Sequence, residues 1–340
     1  MMEDRARVLS MINAAWTTQV LAVACELRLA DFLGGHAHPA DRIAADADAD
    51  ADSVHRVLRA LVALGLCIEM DDGRFALTED GALLRSDRAE SLSDWARLSG
   101  AQIWDNWRDL AHSVRTGQSA RKRLRGADDF SYLERDAAGA ERFNAAMVNL
   151  TRPVAQAAAR DLDWNDVSLA VDVGGGAGEL IATLLFHHGH MRGVVQDLPH
   201  AAPLARAHLE RSGVAARCEV VSGSFFDSMP AAADTYLLKS VLHNWDDSHA
   251  LRILRQCAMA MKPTGRVLLF ERVMPERLGG ADADREAARS DLNMLVGCGG
   301  RERCERHFRA LMAQAGLRLE SCRPLVAGFS VLTGGHAARG

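Results

Sequence analysis

"LAVDVGGGAGEL", residues 169–180, decides how the second half of this 340-residue chain is read. A short apolar run from Leu169 to Val173 breaks into Gly174, Gly175, Gly176 and Gly178, and an apolar helical pattern follows. That is a strand turning tightly into a helix. A dinucleotide-binding loop reads G-x-G-x-x-G, its third glycine letting helix and strand pack closely. Here Gly174 and Gly176 fit, but the third position is Glu179, so the spacing is G-x-G-x-G. A carboxylate at a helix start repels pyrophosphate, which seeks the same positive end. A ligand with an amino-acid tail offers a cation instead, which favours S-adenosylmethionine over NAD.

Downstream, "RGVVQDL", "CEVVSG", "TYLLKSV" and "RVLLFERV" alternate with helical stretches. Near-continuous apolar strands suit a parallel sheet covered on both faces. The closing pair, "LRLESCRP" and "FSVLTGG", is separated by too short a loop for a parallel return and is expected to be antiparallel. Asp197 ends the second strand, 23 positions after Gly174. An acid there can accept hydrogen bonds from both ribose hydroxyls of an adenosine; the plainer role is a cap on the helix after "DLPHAAP". In "YLLKSVLHNWDD", residues 236–247, His243 follows the fourth strand, and Glu271 ends the fifth. Both fall at carboxyl ends of neighbouring strands, where open sheets bind ligands. A carboxylate beside an imidazole fixes its tautomer and raises its basicity. The alternative is a helix start capped by Asn244 and Asp247. His200, His208 and His249 lack such neighbours and are expected at the surface.

Upstream, the first hundred residues read as helical. "VLSMINAAWTTQVLAVACELRLADFL" carries apolar residues three and four apart and is greasier than a solvent-facing helix needs, so part of it is expected to pack on a partner subunit. Short helix, turn, longer helix, "LCIEM", a "DDG" turn and "RFALT" then spell a winged helix. Residues 41–80 hold ten acidic residues against four arginines, the wrong balance for facing phosphates. "DADADAD" lacks the glycine turn and distal glutamate of a calcium loop. Residues 101–160 are again helical, with Trp104, Trp107, Phe130, Tyr132 and Phe143.

The net charge of −5 does not favour nucleic acid. No apolar run is read as approaching the roughly 20 residues of a membrane span, and the N-terminus lacks a signal-peptide core; a cytoplasmic location is expected. Seven scattered cysteines without C-x-x-C indicate neither disulfides nor a zinc ribbon. "FHHGH" reads as a polar helix end and "CGGRERCERH" as a loop entering a helix, and no metal-ligand constellation is expected near the motifs.

"VDVGGGAGEL", "QDLPHA", "SGSFFDSMP", "LLKSVLHNWDD" and "GGRERCERHFRALMAQAGL" occur in order. With them, nearly the whole chain resembles the S-adenosylmethionine-dependent O-methyltransferases of the plant caffeic-acid type, nearest the bacterial relatives that tailor mitomycin, anthracycline and phenazine metabolites. The resemblance implies an α/β fold: a Rossmann-like class I methyltransferase sheet behind an N-terminal helical, winged-helix dimerisation module. It divides the chain into a dimerisation domain (1–98), a helical linker lining the acceptor pocket (99–160) and a cofactor-binding domain (161–340). It implies that Gly174, Gly176, Asp197 and Leu198 hold the cofactor's tail and ribose, that Ser224 and Phe225 line adenine, and that Lys239 lies near the cofactor carboxylate. His243 matches the general base, and Glu271 and Glu302 the acids flanking it. Phe143, Met147, Met294 and, more weakly, Trp104 match positions facing the acceptor. Two positions depart: Ser224 stands where the family usually has Asp, and Asn244 replaces the Asp of its His-Asp-Trp. The implied partners are a small-molecule acceptor and a second copy of the chain, without nucleic acid, membrane or metal.

A phenol has a pKa near 10 and a histidine about 6.5, so full proton transfer before attack is uphill by roughly 5 kcal/mol. Partial transfer in an aligned complex must share the work. Fold relatives that bind this cofactor yet hydroxylate, decarboxylate or catalyse pericyclic steps form the second class of function, beside N- and carboxyl-methylation.

Overall fold

The computed structural model describes residues 2–127, 129–230 and 232–337. The chain forms two compact units, Met1–Asp105 and Asn106–Gly340, divided within a short helix.

In the first unit, helices α1 (Met2–Asn13), α2 (Ala15–Glu26) and α3 (Leu29–Leu33) precede strand β1 (His38–Pro39). Then come α4 (Ala40–Asp46), α5 (Ala51–Ala63), β2 (Cys67–Glu69), β3 (Arg74–Leu77) and α6 (Ser93–Leu98). The three strands pair antiparallel in the order β1-β3-β2, completing the expected winged helix. Asp50 begins α5 by accepting a hydrogen bond from Ser53 N at 2.9 Å, an N-cap that fits the end of the "DADADAD" run. The amphipathic α5 turns Val54, Leu58 and Leu61 into a core with Leu29, Leu33, Ile43 and Phe75. The apolar residues of α1 and early α2 stay outside it: Met11 is 58% and Ile12 69% exposed, and Val8, Leu9 and Trp16 are exposed too. One expectation needs correction. The helical stretch Asp4–Glu26 is, by length and composition, long and apolar enough to cross a membrane. Asn13, Thr17, Thr18 and Gln19 interrupt it in a way that a search for unbroken apolar runs discounts.

The second unit begins within α7 (Trp104–Arg108), followed by α8 (Leu110–Thr116), α9 (Ala120–Arg125) and the 25-residue α10 (Ala137–Asp161). Next are β4 (Leu169–Val173), α11 (Glu179–His187), β5 (Arg192–Asp197), α12 (Ala202–Arg211), β6 (Cys218–Ser222), β7 (Thr235–Lys239) and α13 (Asp247–Ala260). The chain closes with β8 (Arg266–Glu271), α14 (Asp282–Gly297), α15 (Glu305–Gln314), β9 (Leu317–Pro324) and β10 (Ser330–His336). The seven strands lie in the order β6-β5-β4-β7-β8-β10-β9, with the first five parallel and β10 antiparallel to both neighbours.

Alternation along each strand feeds two cores. Ala170, Leu237, Leu268 and Phe270 pack with residues of α10, α11 and α12. Val171, Val173, Tyr236, Leu238, Val267 and Leu269 pack on the other face with α13 and α15. Burial on both faces is why these strands read as continuous apolar runs. The strand order reverses between β4 and β7, so the crevice at their carboxyl ends is the topological switch point.

Candidate functional site

Four strand ends deliver side chains to this edge: the glycine loop after β4, Asp197 on β5, Lys239 on β7 and Glu271 on β8. Gly174 and Gly176 have φ of +65° and +57°, and Gly174 N donates to Gln196 O at 2.8 Å. Asp197 ties the loop to the neighbouring strand, since its carboxylate accepts from Gly176 N and Leu198 N, both at 2.7 Å. Burial raises its pKa against those two backbone bonds. A carboxylate has about four lone-pair directions, which leaves acceptors for two further hydroxyls. The loop thus fits a ligand whose amino-acid tail approaches backbone and whose ribose meets an acid.

Beneath the loop lies Asp172, a residue the sequence reading passed over. It is 2% exposed, its carboxylate accepts from Ile181 N at 3.4 Å, and burial pushes its pKa up to about 7. Glu179 corrects an earlier premise. It is buried, with one oxygen 2.8 Å from Arg152 Nε and the other 2.7 Å from His208 Nε2. Its charge is matched inside the protein and gives little ground for repelling a phosphate. His208 is therefore buried rather than a surface residue, its carboxylate partner contributed by another helix.

At the other end of the site, Ser224 Oγ accepts from Phe226 N at 3.1 Å. Phe225 packs edge-on to Trp245 with ring centres 6.1 Å apart. Lys239 points its ammonium over the ring of Phe329, 4.9 Å from the centre. Burial, partly offset by Glu271, lowers its pKa to about 8.

His243 sits in a short 3₁₀ turn, Leu242–Asn244, directly after β7. Its Nδ1 is 3.0 Å from Glu302 Oε1 and 3.7 Å from Glu271 Oε2. Both carboxylates are buried, at 5% and 0% exposure. Glu302 also accepts from Ser290 Oγ at 2.7 Å, and Glu271 from the backbone N–H groups of Val241 and Leu242 at 3.1 and 2.9 Å. With Nδ1–H donated to Glu302, the neutral ring leaves Nε2 as its basic atom. Burial opposes the imidazolium, but the charges of Glu302 and Glu271 and the hydrogen bond to Glu302 outweigh it and raise the histidine's pKa. Burial raises the pKa of Glu271, whereas His243 and Ser290 hold that of Glu302 down despite burial.

The ligand-type atoms of His243, Glu271 and Glu302 all lie within 4.8 Å of one another, which corrects the expectation that no metal-ligand constellation lies near the motifs. The three come from distant segments, so no local spacing announces them.

The turn itself is held by Arg303, Arg301, Gly300 and Ser240, which the sequence reading did not single out, together with Asn244 and Asp247. Arg303, 1% exposed, donates to Leu242 O at 2.8 Å and Trp245 O at 2.7 Å, and pairs with Asp247 at 2.8 Å. Arg301 N donates to His243 O, and a Cβ on Gly300 would come within 2.1 Å of that oxygen, so only glycine fits. Ser240 has φ +56°, a left-handed conformation uncommon outside glycine. Asn244 Nδ2 donates to Ser240 O at 2.9 Å and its Oδ1 lies 3.3 Å from Cys298 Sγ. An aspartate could not donate that first bond. The cap of α13 is Asp246, bonded to His249 N at 2.9 Å, rather than Asn244 or Asp247.

Of the acceptor-facing candidates, Phe143 and Met147 share one face of α10, and Phe143 packs on Phe130 at 5.5 Å. Met294 is buried one turn beyond Ser290 on α14. Trp104 is half-buried and belongs to the first unit.

Residues 107–318 match the O-methyltransferase domain family, and residues 9–87 the O-methyltransferase dimerisation domain family. The chain is 35% identical over 325 residues to the phenazine O-methyltransferase PhzM of Lysobacter antibioticus, covering 96% of this chain and 94% of that protein. It is also 35% identical to the aclacinomycin 10-hydroxylase RdmB of Streptomyces purpurascens, covering 94% and 86%. A solved O-methyltransferase from neocarzinostatin biosynthesis, NcsB1, in complex with S-adenosylmethionine and 2-hydroxy-5-methyl naphthoic acid, superposes with a TM-score of 0.79 at 36% identity, covering 94% and 96%.

Proposed function

The chain belongs to the S-adenosylmethionine-dependent O-methyltransferases, and from that premise we propose that it methylates a hydroxyl of a small aromatic or polyketide-like secondary metabolite with His243 as general base. The observation carrying this reading is the 3.0 Å contact between His243 Nδ1 and the buried Glu302, at the carboxyl edge of the sheet's switch point. The cofactor supplies an electrophilic methyl group. Gly174, Gly176, Asp197 and Leu198 hold its tail and ribose, Ser224 and Phe225 line the adenine, and Lys239 lies near its carboxylate. His243 Nε2 takes the acceptor's proton as attack proceeds, while Glu302 and Glu271 stabilise the imidazolium that forms. The raised histidine pKa narrows the gap to a phenol and lowers the cost of that transfer. Phe143, Met147 and Met294 face the acceptor, within a chain read as three parts, residues 1–98, 99–160 and 161–340.

The test is transfer of label from methyl-labelled S-adenosylmethionine to a panel of phenols by chelator-treated enzyme. Labelled ether products support the reading; turnover only after a divalent metal is restored would rule out a metal-independent base. The relative that hydroxylates at equal identity keeps one second outcome in view, an acceptor that gains oxygen instead of label.

We further propose a homodimer, built on the exposed apolar face of α1 and α2 within the matched dimerisation domain. An obligate interface of more than about 2,000 Å² is expected. Light scattering that finds monomers at micromolar concentration would reject it.

A further inference from the structure

Asn144 has no part in the roles assigned above, yet its side chain is set against Gly176 of the glycine loop. It lies on α10 and is 5% exposed. Its Nδ2 donates to Ala140 O at 2.8 Å, one turn back on the same helix. A carbonyl can only accept, so this bond fixes which amide atom faces inward and which faces the loop. The outward atom is Oδ1, and a Cβ built on Gly176 would lie 3.2 Å from it. Oδ1 accepts no hydrogen bond among the described residues. Two turns further along α10, Arg152 bonds Glu179 at 2.8 Å, pinning the helix to the first residue of α11. The amide is therefore oriented by its own helix, which Arg152 ties to α11, with the oxygen on the side of Gly176.

An amide oxygen placed beside the glycine loop and oriented by the Nδ2 bond is an acceptor ready for a donor from a ligand, and a cationic donor makes the stronger hydrogen bond. The cationic hydrogen-bond donor that a ligand with an amino-acid tail brings to a glycine loop is its α-ammonium. We infer that Asn144 Oδ1 accepts a hydrogen bond from the α-ammonium of the cofactor's amino-acid tail, making Asn144 a tail-binding residue on the same helix as Phe143 and Met147. The inference rests on the reading that the tail lies at Gly174–Gly176.

Two probes separate this role from a merely structural one. S-adenosylhomocysteine carries the ammonium; 5′-methylthioadenosine shares the nucleoside but lacks the amino acid. By calorimetry, Asn144→Leu should weaken S-adenosylhomocysteine roughly 10- to 100-fold, the scale of a charge-assisted hydrogen bond, and leave methylthioadenosine within about threefold. Asn144→Asp keeps an acceptor for the ammonium but cannot donate to Ala140 O, so it should weaken S-adenosylhomocysteine less than Asn144→Leu does. Asp197→Ala should weaken both probes. Equal weakening of both probes by Asn144→Leu, or none, overturns the assignment while leaving the cofactor site intact. Indifference of both probes to Asp197→Ala would remove the cofactor reading itself, and this inference with it.

Discussion

The two halves of the site are built in opposite ways. The glycine loop is made of backbone within one strand–turn–helix unit, and a single acid from the next strand secures it. The His243 half is made of side chains contributed by three segments, with Glu271 and Glu302 lying 28 and 59 residues beyond the histidine. In the first half, position is set by local conformation, and each N–H costs nothing to aim. In the second, every distance depends on how β7, β8 and the 297–303 segment pack. The histidine half should therefore respond to substitution through chemistry, and the loop half through affinity.

The largest effect should come from the histidine. His243→Ala should lower kcat for a phenolic acceptor by about 10²–10⁴-fold, the usual worth of a general base, while calorimetry finds S-adenosylhomocysteine affinity unchanged. The ascending limb of the pH–rate profile should vanish with it. Full turnover in this variant would mean that the acceptor arrives already ionised, and would break the division between the halves. Asp197→Ala should do the reverse. Affinity should fall by roughly 1.5–3 kcal/mol with the loss of a charged hydrogen-bonding partner, and kcat at saturating cofactor should change far less. A collapse of kcat at saturation would show that the loop also positions the reacting groups.

The smallest effect sharpens the comparison. His243 must be neutral to act, so rates rise with pH through its raised pKa. Removing the nearer carboxylate weakens what stabilises the imidazolium. Glu302→Gln should therefore move the ascending limb to lower pH and cost less in kcat than His243→Ala. Glu271→Gln should cost less than His243→Ala too, and the losses should not add, because the residues act as a unit. A limb that stays in place in Glu302→Gln would assign it to another group.

Much of this was legible in the chain. Apolar runs and the interruption at Gly174–Gly178 specified the parallel sheet, the short return between the last two strands made them antiparallel, and "DDG" between short strands marked the wing. Those features depend on neighbours two to four residues apart. The strand pattern brought His243 and Glu271 to neighbouring strand ends, and family resemblance added Glu302 and the roles of all three. Only packing decided that Glu302 lies nearer the imidazole than Glu271, that Arg303 clamps the turn, that Asn144 meets Gly176, and that Glu179 is paired with Arg152 instead of facing a ligand. The physical reason is that backbone conformation is a short-range property of sequence. A side chain's charge state and hydrogen-bond partners depend on burial and on groups brought close by the fold, and neither distance nor dielectric is written in the order of residues.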